Sequence, residues 1–368
     1  MPVYIRHIET LVPENTYSQD LFREKMMSWL SDERERRLVR SICRNSGIET
    51  RHSVLGDFQP GAVPGGLFDT DTAGMPATPG TMERNDLFQK EARRLSVEVA
   101  RRAIERCAGV SPADITHVIT TTCTGFSNPG PDYYIVRENG LRASTERYAL
   151  GFMGCYAAIP ALRLAWQCCQ ANPSAMVLVV SIELCSLHLR FGNGMDSLLG
   201  NAIFADGTAA ALVSARPPAA GAACRIEGFA SDLIPRGEKD MAWRIGNEGF
   251  VMRLSTYVPD LIAGSVRGMV EPLLAGAGVK PGEIGRWAVH PGGKSILDKV
   301  ELELRLKPEQ IQASRKVLRD YGNMSSATSL FVLKEILENP LPARCGESVC
   351  AIAFGPGLTV EMALLRLT

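Results

Sequence analysis

The sequence predicts an α/β protein built from two similar halves that pack together as a layered sandwich. Short apolar runs rich in β-branched residues alternate with apolar helical stretches, a pattern typical of parallel strands buried on both faces. The same order of strands and helices occurs before residue 215 and again after residue 224. The length of 368 residues, which by itself allows about two to three domains, therefore fits one duplicated fold with halves at 1–214 and 225–368.

The first half begins with a charged segment and a long loop. Apolar residues recur at helical spacing among the charges of 31–44, which predicts a surface helix, while glycine and proline dominate 56–80 and predict a loop. Helical periodicity resumes from Leu87 to Arg106. Further along, apolar runs predict buried strands at 115–123, 175–184 and 209–215, with an apolar helix at 155–170 between the first two.

The second half repeats this order after a proline- and alanine-rich connection at 215–224. It predicts a strand at 286–292, a helix at 324–337, and strands at 348–357 and 358–367. The separation from Cys123 to Cys155 is 32 residues and that from His290 to Asn323 is 33 residues. Superposing the halves therefore places His290 where Cys123 lies, and Asn323 where Cys155 lies.

The composition excludes several classes of protein. Lysine plus arginine and aspartate plus glutamate each number 40, so the chain lacks the positive charge expected of a nucleic-acid-binding protein. With 45% hydrophobic and 22% charged residues, it can bury a sizeable core. The longest apolar runs, such as 175–182, are shorter than the roughly 20 residues that a membrane helix needs.

The ten cysteines are the unusual feature of this composition. They form no Cys-x-x-Cys pair and the five histidines are scattered, which argues against a zinc site. The N-terminal residues lack the charged-then-apolar pattern of a secretion signal. We therefore expect a cytoplasmic protein without a metal, in which most cysteines are buried, reduced and packed as small apolar residues.

Three side chains stand out as candidates for chemistry. Cys155 follows Gly-Phe-Met-Gly at the predicted start of a helix, where the helix dipole would lower the pKa of its thiol. His290 ends a strand before Pro-Gly-Gly-Lys, and Asn323 precedes a helix at a preferred N-cap position. Each residue alone has an ordinary structural interpretation, as a packing cysteine, a turn histidine or a helix cap. The duplication nevertheless predicts that all three lie together where the two halves meet.

Four segments carry a resemblance that spans nearly the whole chain: GFMGCYAAIPALRLA, AVHPGGKSIL, YGNMSSATSLFVL and AFGPGLTVE. In this order and at these separations they resemble the type III polyketide synthases, the chalcone-synthase-like branch of the thiolase fold. Three other segments, TTCTGFSNPGPDY, VSIELCSLHLR and AIFADGTAAALVSA, are similar to bacterial alkylresorcinol and alkylpyrone synthases. The resemblance implies a thiolase-like fold, a five-layered αβαβα sandwich, and a homodimer.

The resemblance also implies an activity. Cys155 would accept an acyl group, expected to be a fatty acyl starter, from acyl-CoA and hold the growing chain. His290 and Asn323 would bind the thioester carbonyl of malonyl-CoA, and His290 would also act as the cation that keeps the thiol ionised. Decarboxylative Claisen condensation and cyclisation would then give an alkylpyrone or alkylresorcinol. Coenzyme A thioesters are substrates here, so the resemblance implies no cofactor.

The same resemblance assigns residues to substrate binding. Phe204 matches an aromatic gate, Met252 stands where plant enzymes have a second gate phenylalanine, and Trp243 replaces a small residue of the plant cyclisation pocket. Asn128 and the segment 129–132 match a loop that crosses the family's dimer. The remaining cavity assignments are Cys123, Thr124, Cys185, Gly292, Gly293, Ser325, Phe354, Gly355 and Pro356. For the coenzyme A phosphates, the chain offers Arg37, Arg40 and Arg44, although the plant lysine positions read Leu38 and Asn45.

Three alternatives remain open from the sequence. A β-ketoacyl carrier protein synthase III-like enzyme would condense once and would need a basic face for its carrier protein. A papain-like cysteine protease would use Cys, His and Asn in the same chain order, but the signature around its cysteine is missing here. A thiolase-fold interaction protein would use none of the three residues for catalysis.

Overall fold

The computed structural model describes residues 1–61, 65–69, 75–191, 194–218, 223–338 and 345–368. The first half contains β1 (Val3–Leu11), β2 (Asn15–Ser18), α1 (Gln19–Ser28), α2 (Glu33–Asn45), β3 (Thr50–Ser53), α3 (Thr81–Arg106), β4 (His117–Thr122), α4 (Pro131–Glu138), β5 (Glu146–Gly151), α5 (Ala158–Ala171), β6 (Met176–Leu184), α6 (Met195–Ile203) and β7 (Asp206–Ser214). The second half contains β8 (Cys224–Leu233), β9 (Met241–Gly246), β10 (Gly249–Leu254), α7 (Val258–Gly276), β11 (Ile284–Val289), α8 (Lys294–Leu304), α9 (Pro308–Tyr321), α10 (Ala327–Glu338), β12 (Ser348–Gly355) and β13 (Thr359–Leu367).

The large sheet repeats one pairing pattern in its two halves. Its order is β5-β4-β6-β7-β1-β8-β13-β12-β11. β4 and β6 are parallel, β6 and β7 antiparallel, and β7 and β1 antiparallel. β11, β12, β13 and β8 show the same sequence of directions. The halves join where β1 pairs with β8 through Val3↔Ile226 and Ile5↔Cys224.

This mixed sheet corrects the expectation of parallel pairing throughout. Among the strands of the described residues, parallel pairs form between β4 and β5, β4 and β6, and β11 and β12, and the other pairs are antiparallel. The prediction failed because an apolar run shows that a strand is buried on both faces but carries no information about its direction. β7 and β13 are almost as continuously buried as the strands beside them, yet both are antiparallel to their neighbours.

The helices and the two halves of the large sheet form the predicted αβαβα layers. Side chains of α5 and α10 pack against strands from both halves, including β6, β7, β12 and β13, in one central cluster. α3 covers the outer face of the first half, and α7, α8 and α9 cover the outer face of the second. No helix among the described residues has both the length and the apolar character needed to cross a membrane.

Two predicted helices begin later than expected. α5 starts at Ala158 instead of 155, because Phe152 and Gly154 adopt positive φ values of 60° and 86° and the chain makes one further turn before the helix. Pro160 then lies in the first helical turn, where no backbone donor is needed. α10 likewise starts at Ala327 instead of 324. The predicted surface helix is α2, whereas parts of the predicted loop (62–64 and 70–74) and connection (219–222) lie outside the described residues.

A buried carboxylate ties three layers together. Glu9 on β1 is 2% exposed and accepts from Arg106 Nη1 of α3 at 3.0 Å and from Lys334 Nζ of α10 at 3.2 Å. Burial alone would raise the pKa of Glu9, but hydrogen bonds and charges from His7, Lys334 and Arg106 outweigh it and lower the pKa to about 2.

Replacing this carboxylate is expected to destabilise the fold in a pH-dependent way. A folded-state pKa of about 2 against an ordinary value of 4.5 corresponds to about 3 kcal/mol of stability. Because the folded pKa is depressed, that stability is complete above pH 4.5 and is lost as the pH falls towards 2. We expect Glu9→Gln to lower the free energy of urea unfolding by about 2–3 kcal/mol near neutral pH, and by much less at about pH 3.

The exposed ion-paired residue Glu105 provides the matched control. Glu105→Gln should change the unfolding free energy by under about 0.5 kcal/mol at either pH, because its partner Arg101 is a surface residue. Equal destabilisation by Glu9→Gln at both pH values would contradict the assignment.

Candidate active site

A cavity lies between the two halves and brings the three candidate side chains together. Cys155 comes from the turn between β5 and α5, His290 directly follows β11, and Asn323 lies between α9 and α10. The first residue belongs to the first half of the chain and the other two to the second. The cavity therefore forms only where the halves meet.

Two glycine-containing loops fix the position of Cys155. A Cβ on Gly154 would lie 2.4 Å from Cδ of Pro356, and Gly154 also has a φ of 86°. A Cβ on Gly355 would lie 2.4 Å from Cδ1 of Tyr156. Both positions therefore require glycine, because the loop after β12 packs directly against the turn that carries Cys155. This contact accounts for the glycines in two of the sequence motifs.

Asn323 is held against the aromatic residue predicted as the gate. Its backbone N–H donates to Ile203 O and its carbonyl accepts from Ala205 N, both at 2.9 Å, so it forms a bridge to Phe204. Its Oδ1 accepts from Ser325 N at 2.9 Å, and its Nδ2 lies 3.5 Å from Gly292 O. Asn323 therefore caps the turn before α10 and not, as the sequence predicted, the first turn of the helix. Its amide nitrogen faces the side of the cavity lined by Gly292.

Burial favours the neutral forms of the histidine and the thiol. His290 is 1% exposed, and neither ring nitrogen has a hydrogen-bond partner in the part of the chain that the structure describes. Burial lowers the pKa of His290 to about 3 and raises the pKa of Cys155 to about 12, although hydrogen bonds from Ser325 and Asn323 oppose the latter shift. Burial thus opposes the expected standing pair of thiolate and imidazolium and favours a neutral thiol and a neutral imidazole in the resting site.

A buried carboxyl group supports the wall next to Cys155. Glu183 on β6 accepts from Cys123 N at 3.0 Å, from Thr124 Oγ1 at 3.1 Å and from the Ser326 hydroxyl. Cys123 Sγ lies 3.2 Å from the Ser325 hydroxyl. Burial raises the pKa of Glu183, while the hydrogen bonds from Ser326 and Cys123 oppose the shift. Sequence reasoning missed Glu183, yet a lone acidic residue inside the apolar run 175–184 was a signal for it.

The β9–β10 hairpin supplies an aromatic wall of the cavity. Its two strands were not predicted from the sequence. Trp243 Nε1 donates to Cys123 O at 2.7 Å. His188 donates through Nε2 to Thr124 O at 2.8 Å and accepts through Nδ1 from Phe250 N at 3.0 Å, and its ring stacks on that of Phe250 at 4.1 Å. Burial lowers the pKa of His188 to about 3, so this second histidine is a neutral structural link between the hairpin and the wall.

Most of the predicted substrate residues lie on the cavity wall. These are Cys123, Thr124, Cys185, Phe204, Trp243, Met252, Gly292, Ser325, Phe354 and Pro356. Gly293 instead precedes the first turn of α8, and Gly355 packs on Tyr156, so neither lines the cavity. Sequence reasoning missed other wall residues, among them His188, Arg190, Asp196, Asn201 and Phe250.

The predicted phosphate-binding arginines lie outside the cavity. Arg37, Arg40 and Arg44 are exposed on α2, and Arg40 pairs with Glu33 at 3.2 Å. α2 packs against α6, whose residues Asp196 to Asn201 include several that line the cavity. Within the described ranges, no three histidine, cysteine, aspartate or glutamate side chains are grouped as a metal site would require.

Known proteins match this chain over its whole length. The family described as chalcone and stilbene synthases matches with its N-terminal domain at residues 5–217 and with its C-terminal domain at 226–368. PKS-I from the brown alga Ectocarpus siliculosus is 30% identical with a TM-score of 0.92, and the match covers 100% of this chain and 98% of that one.

Two further solved structures agree with this match. The C-terminal type III polyketide synthase domain of Steely1 from Dictyostelium is 28% identical with a TM-score of 0.89, covering 100% of this chain and 99% of that one. A type III pentaketide synthase from Neurospora crassa is 28% identical with a TM-score of 0.86, covering 99% of each chain. Together with the thiolase-type layers, these matches set aside the papain-like alternative. The chain belongs to the chalcone and stilbene synthase family, the type III polyketide synthases, which are acyltransferases that catalyse decarboxylative condensation.

Proposed function

We propose that this synthase loads a fatty acyl starter from acyl-CoA onto Cys155, extends it with malonyl-CoA and cyclises the product to an alkylpyrone or alkylresorcinol. The observation that carries the proposal is the meeting of Cys155, His290 and Asn323 on one cavity wall. The rest of that wall is mainly apolar and includes Met241, Phe250, Met252, Leu254 and Ile296. An apolar cavity of this kind favours a starter with an alkyl chain.

The loading step follows from the neutral resting pair. His290 accepts the Sγ proton as Cys155 attacks the thioester carbonyl of acyl-CoA, so a new carbon–sulfur bond forms on the enzyme. The bond to coenzyme A then breaks, and the leaving thiolate takes the proton from the imidazolium. Cys155 is left acylated and His290 is neutral again.

The extension step uses the two donors of the second half. An N–H of His290 and the amide of Asn323 bind the thioester carbonyl oxygen of malonyl-CoA and stabilise the enolate formed when carbon dioxide leaves. The enolate carbon attacks the thioester on Cys155, and the carbon–sulfur bond to the enzyme breaks. The lengthened chain on coenzyme A then reloads Cys155 for the next round. We infer that no resident cofactor takes part, since the malonyl carboxylate drives the condensation.

Basic residues from both halves support coenzyme A binding near α2. Arg37, Arg40 and Arg44 are exposed on this helix. Lys294, the first residue of α8, lies beside Gly47 just after α2, since a Cβ on that glycine would be 3.3 Å from the lysine Cβ. Ile296, on the same turn of α8, lines the cavity. We propose that the phosphates bind between α2 and the start of α8 while the pantetheine enters past Ile296.

We further propose a cytoplasmic homodimer. β5 is an edge strand of the large sheet, and nearly all of its residues are exposed. An uncovered edge is a template for pairing with a second copy of the chain. The segment 129–132, which resembles the loop that crosses the family's dimer, precedes β5 in the chain. All ten cysteines are free, which fits a reducing compartment.

The test is to incubate the protein with radiolabelled malonyl-CoA and acyl-CoA starters of increasing chain length. We expect products that depend on the starter and that mass spectrometry identifies as alkylpyrones or alkylresorcinols. A product extended by only one malonyl unit would favour the carrier protein synthase-like alternative. Absence of any starter-dependent product would contradict the proposal.

The aromatic wall predicts a change in product length. Trp243 occupies cavity volume and is anchored to Cys123 O, so Trp243→Ala should enlarge the cavity beside the growing chain. We expect this variant to shift the products towards longer ketides by one or more malonyl units. Trp166→Ala is the control, because Trp166 packs on Phe229 away from the cavity wall. An unchanged product distribution in Trp243→Ala would show that this wall does not limit chain length.

A further inference from the structure

The β9–β10 hairpin lines one side of the active-site cavity, yet it is not part of the large sheet. It forms a separate sheet of two strands, in which Trp243 pairs with Met252. Both of these side chains line the cavity. A two-stranded hairpin is marginally stable by itself, so contacts with other elements must hold it in place. The position of the hairpin therefore decides how much room a growing chain has on this side.

Thr81, the first residue of α3, holds the tip of this hairpin. Its hydroxyl donates to Gly246 O at the end of β9 and accepts from Gly249 N at the start of β10, the latter at 2.9 Å. Its backbone N–H donates to Asn247 O at 2.8 Å. The N–H groups in the first turn of a helix have no partner within the helix, so this one can bind the hairpin. One residue of the first half thus closes a turn between two strands of the second half.

The first turn of α3 also holds the segment that contacts the middle of the hairpin. Arg84 Nη1 donates to Leu187 O at 2.6 Å and to Leu189 O at 2.9 Å. Between these two residues lies His188, whose Nδ1 accepts from Phe250 N of β10 at 3.0 Å. The tip and the middle of the hairpin are therefore both positioned by the same turn of helix.

We propose that Thr81 is a positioning residue that limits the length of the product, although its side chain does not line the cavity. By fixing the tip of the hairpin, it keeps Trp243 and Met252 where they stop the chain on Cys155 from growing further. Loss of its hydroxyl leaves both ends of the hairpin turn without this partner, so the hairpin can move away from the cavity. This inference rests on the proposed function, because it takes the ketide on Cys155 to grow against this wall.

The experiment measures the products that Thr81→Ala makes from one acyl-CoA starter and malonyl-CoA. We expect the ratio of longer ketides to the main wild-type ketide to rise about threefold or more, since each lost hydrogen bond changes an equilibrium by about two- to tenfold. Malonyl-CoA decarboxylation should stay close to the wild-type rate, because His290 and Asn323 lie on other elements. Thr81→Ser keeps the hydroxyl and should restore the wild-type ratio. A protein that is only destabilised would instead lose both activities together.

Thr116→Ala is the matched control. The hydroxyl of Thr116 also donates to and accepts from backbone groups, those of Met176, at 3.1 Å and 3.0 Å. Thr116 directly precedes β4, at the opposite end of that strand from Cys123, and it does not line the cavity. This variant should keep the wild-type product ratio, and a shift equal to that of Thr81→Ala would contradict the inference.

Two further variants test the route from Thr81 to the cavity. Thr81→Val lacks the hydroxyl but keeps the branched shape, so it should show the same shift, and it takes the place of Thr81→Ala if that variant does not fold. When Trp243→Ala is already present, the added effect of Thr81→Ala should shrink, because the wall has lost its largest side chain. Wild-type product ratios in the Thr81 variants, or full additivity with Trp243→Ala, would overturn the inference and leave the proposed function intact. If the wild type makes no ketides, the proposed function itself fails.

Discussion

Replacing Cys155 with alanine is expected to abolish ketide formation and to leave the decarboxylation of malonyl-CoA. Without the thiol no acyl-enzyme forms, so starter-dependent product should fall by more than about a thousandfold. His290 and Asn323 remain in place, because neither depends on a hydrogen bond from the thiol to hold its backbone. Labelled carbon dioxide release and product formation, measured in the same reaction, separate the two activities.

Two further variants test the assignment of acyl transfer to Cys155 and of enolate stabilisation to Asn323. Asn323→Ala removes one donor to the enolate oxygen, and loss of one such donor typically slows a reaction by about 10²–10³-fold. Both decarboxylation and extension should therefore fall. Cys185→Ala is the matched control for Cys155→Ala, since it deletes another thiol from the same cavity wall. Equal loss of decarboxylation in Cys155→Ala and Asn323→Ala would contradict the assignment of roles.

Alkylation of Cys155 by iodoacetamide is expected to be nearly independent of pH in the wild type and steeply dependent on pH in His290→Ala. Burial favours the neutral form of each group taken alone. Transfer of the thiol proton to the imidazole leaves the number of protons on the pair unchanged, so the amount of the attacking form does not depend on pH while the pair keeps one proton. The rate should then stay level from about pH 6 to about pH 9.

Without the imidazole the thiol must lose its proton to solvent. Because the pKa of Cys155 is raised, the thiolate fraction is small at neutral pH and rises about tenfold for each pH unit. We expect His290→Ala to be alkylated at least about a hundredfold more slowly at about pH 7, with the deficit shrinking as pH rises. Mass spectrometry of the modified peptide measures Cys155 alone among the ten cysteines. The same pH slope in both proteins would show that His290 is not the base.

The three central site residues could be predicted because their signals are local and chemically distinctive. Cys155, His290 and Asn323 each follow or precede a strong apolar element, and the repeat places Asn323 at the point equivalent to Cys155 and His290 at the point equivalent to Cys123. Their protonation states could not be predicted in the same way. A helix start suggests a lowered thiol pKa, whereas burial of Cys155, with the nearby Glu183 carboxyl group, raises it.

The residues that sequence reasoning missed depend on contacts between distant segments. His188 links Thr124 with Phe250, and Arg51 on β3 donates to the Asn201 carbonyl of α6, so no spacing within one segment points to either contact. The β9–β10 hairpin did leave a signal, an alternating pattern around the turn between Gly246 and Gly249. Helix and strand positions were thus largely readable from apolar periodicity, whereas strand direction and the long-range polar contacts were not.

The position of β1 in the sheet delays its pairing while the chain is being synthesised. This strand lies between β7 and β8, and its pairs join Tyr4 with Ser214 and Val3 with Ile226. Ribosomes add about 5–20 residues per second, so roughly 10–40 seconds pass between the synthesis of β1 and the synthesis of its second neighbour, β8. Contacts over such long stretches of chain are slow to form and leave an apolar strand open to aggregation meanwhile. We therefore expect the nascent chain to need protection by chaperones until β8 emerges, and the two halves to become one cooperative unit only then.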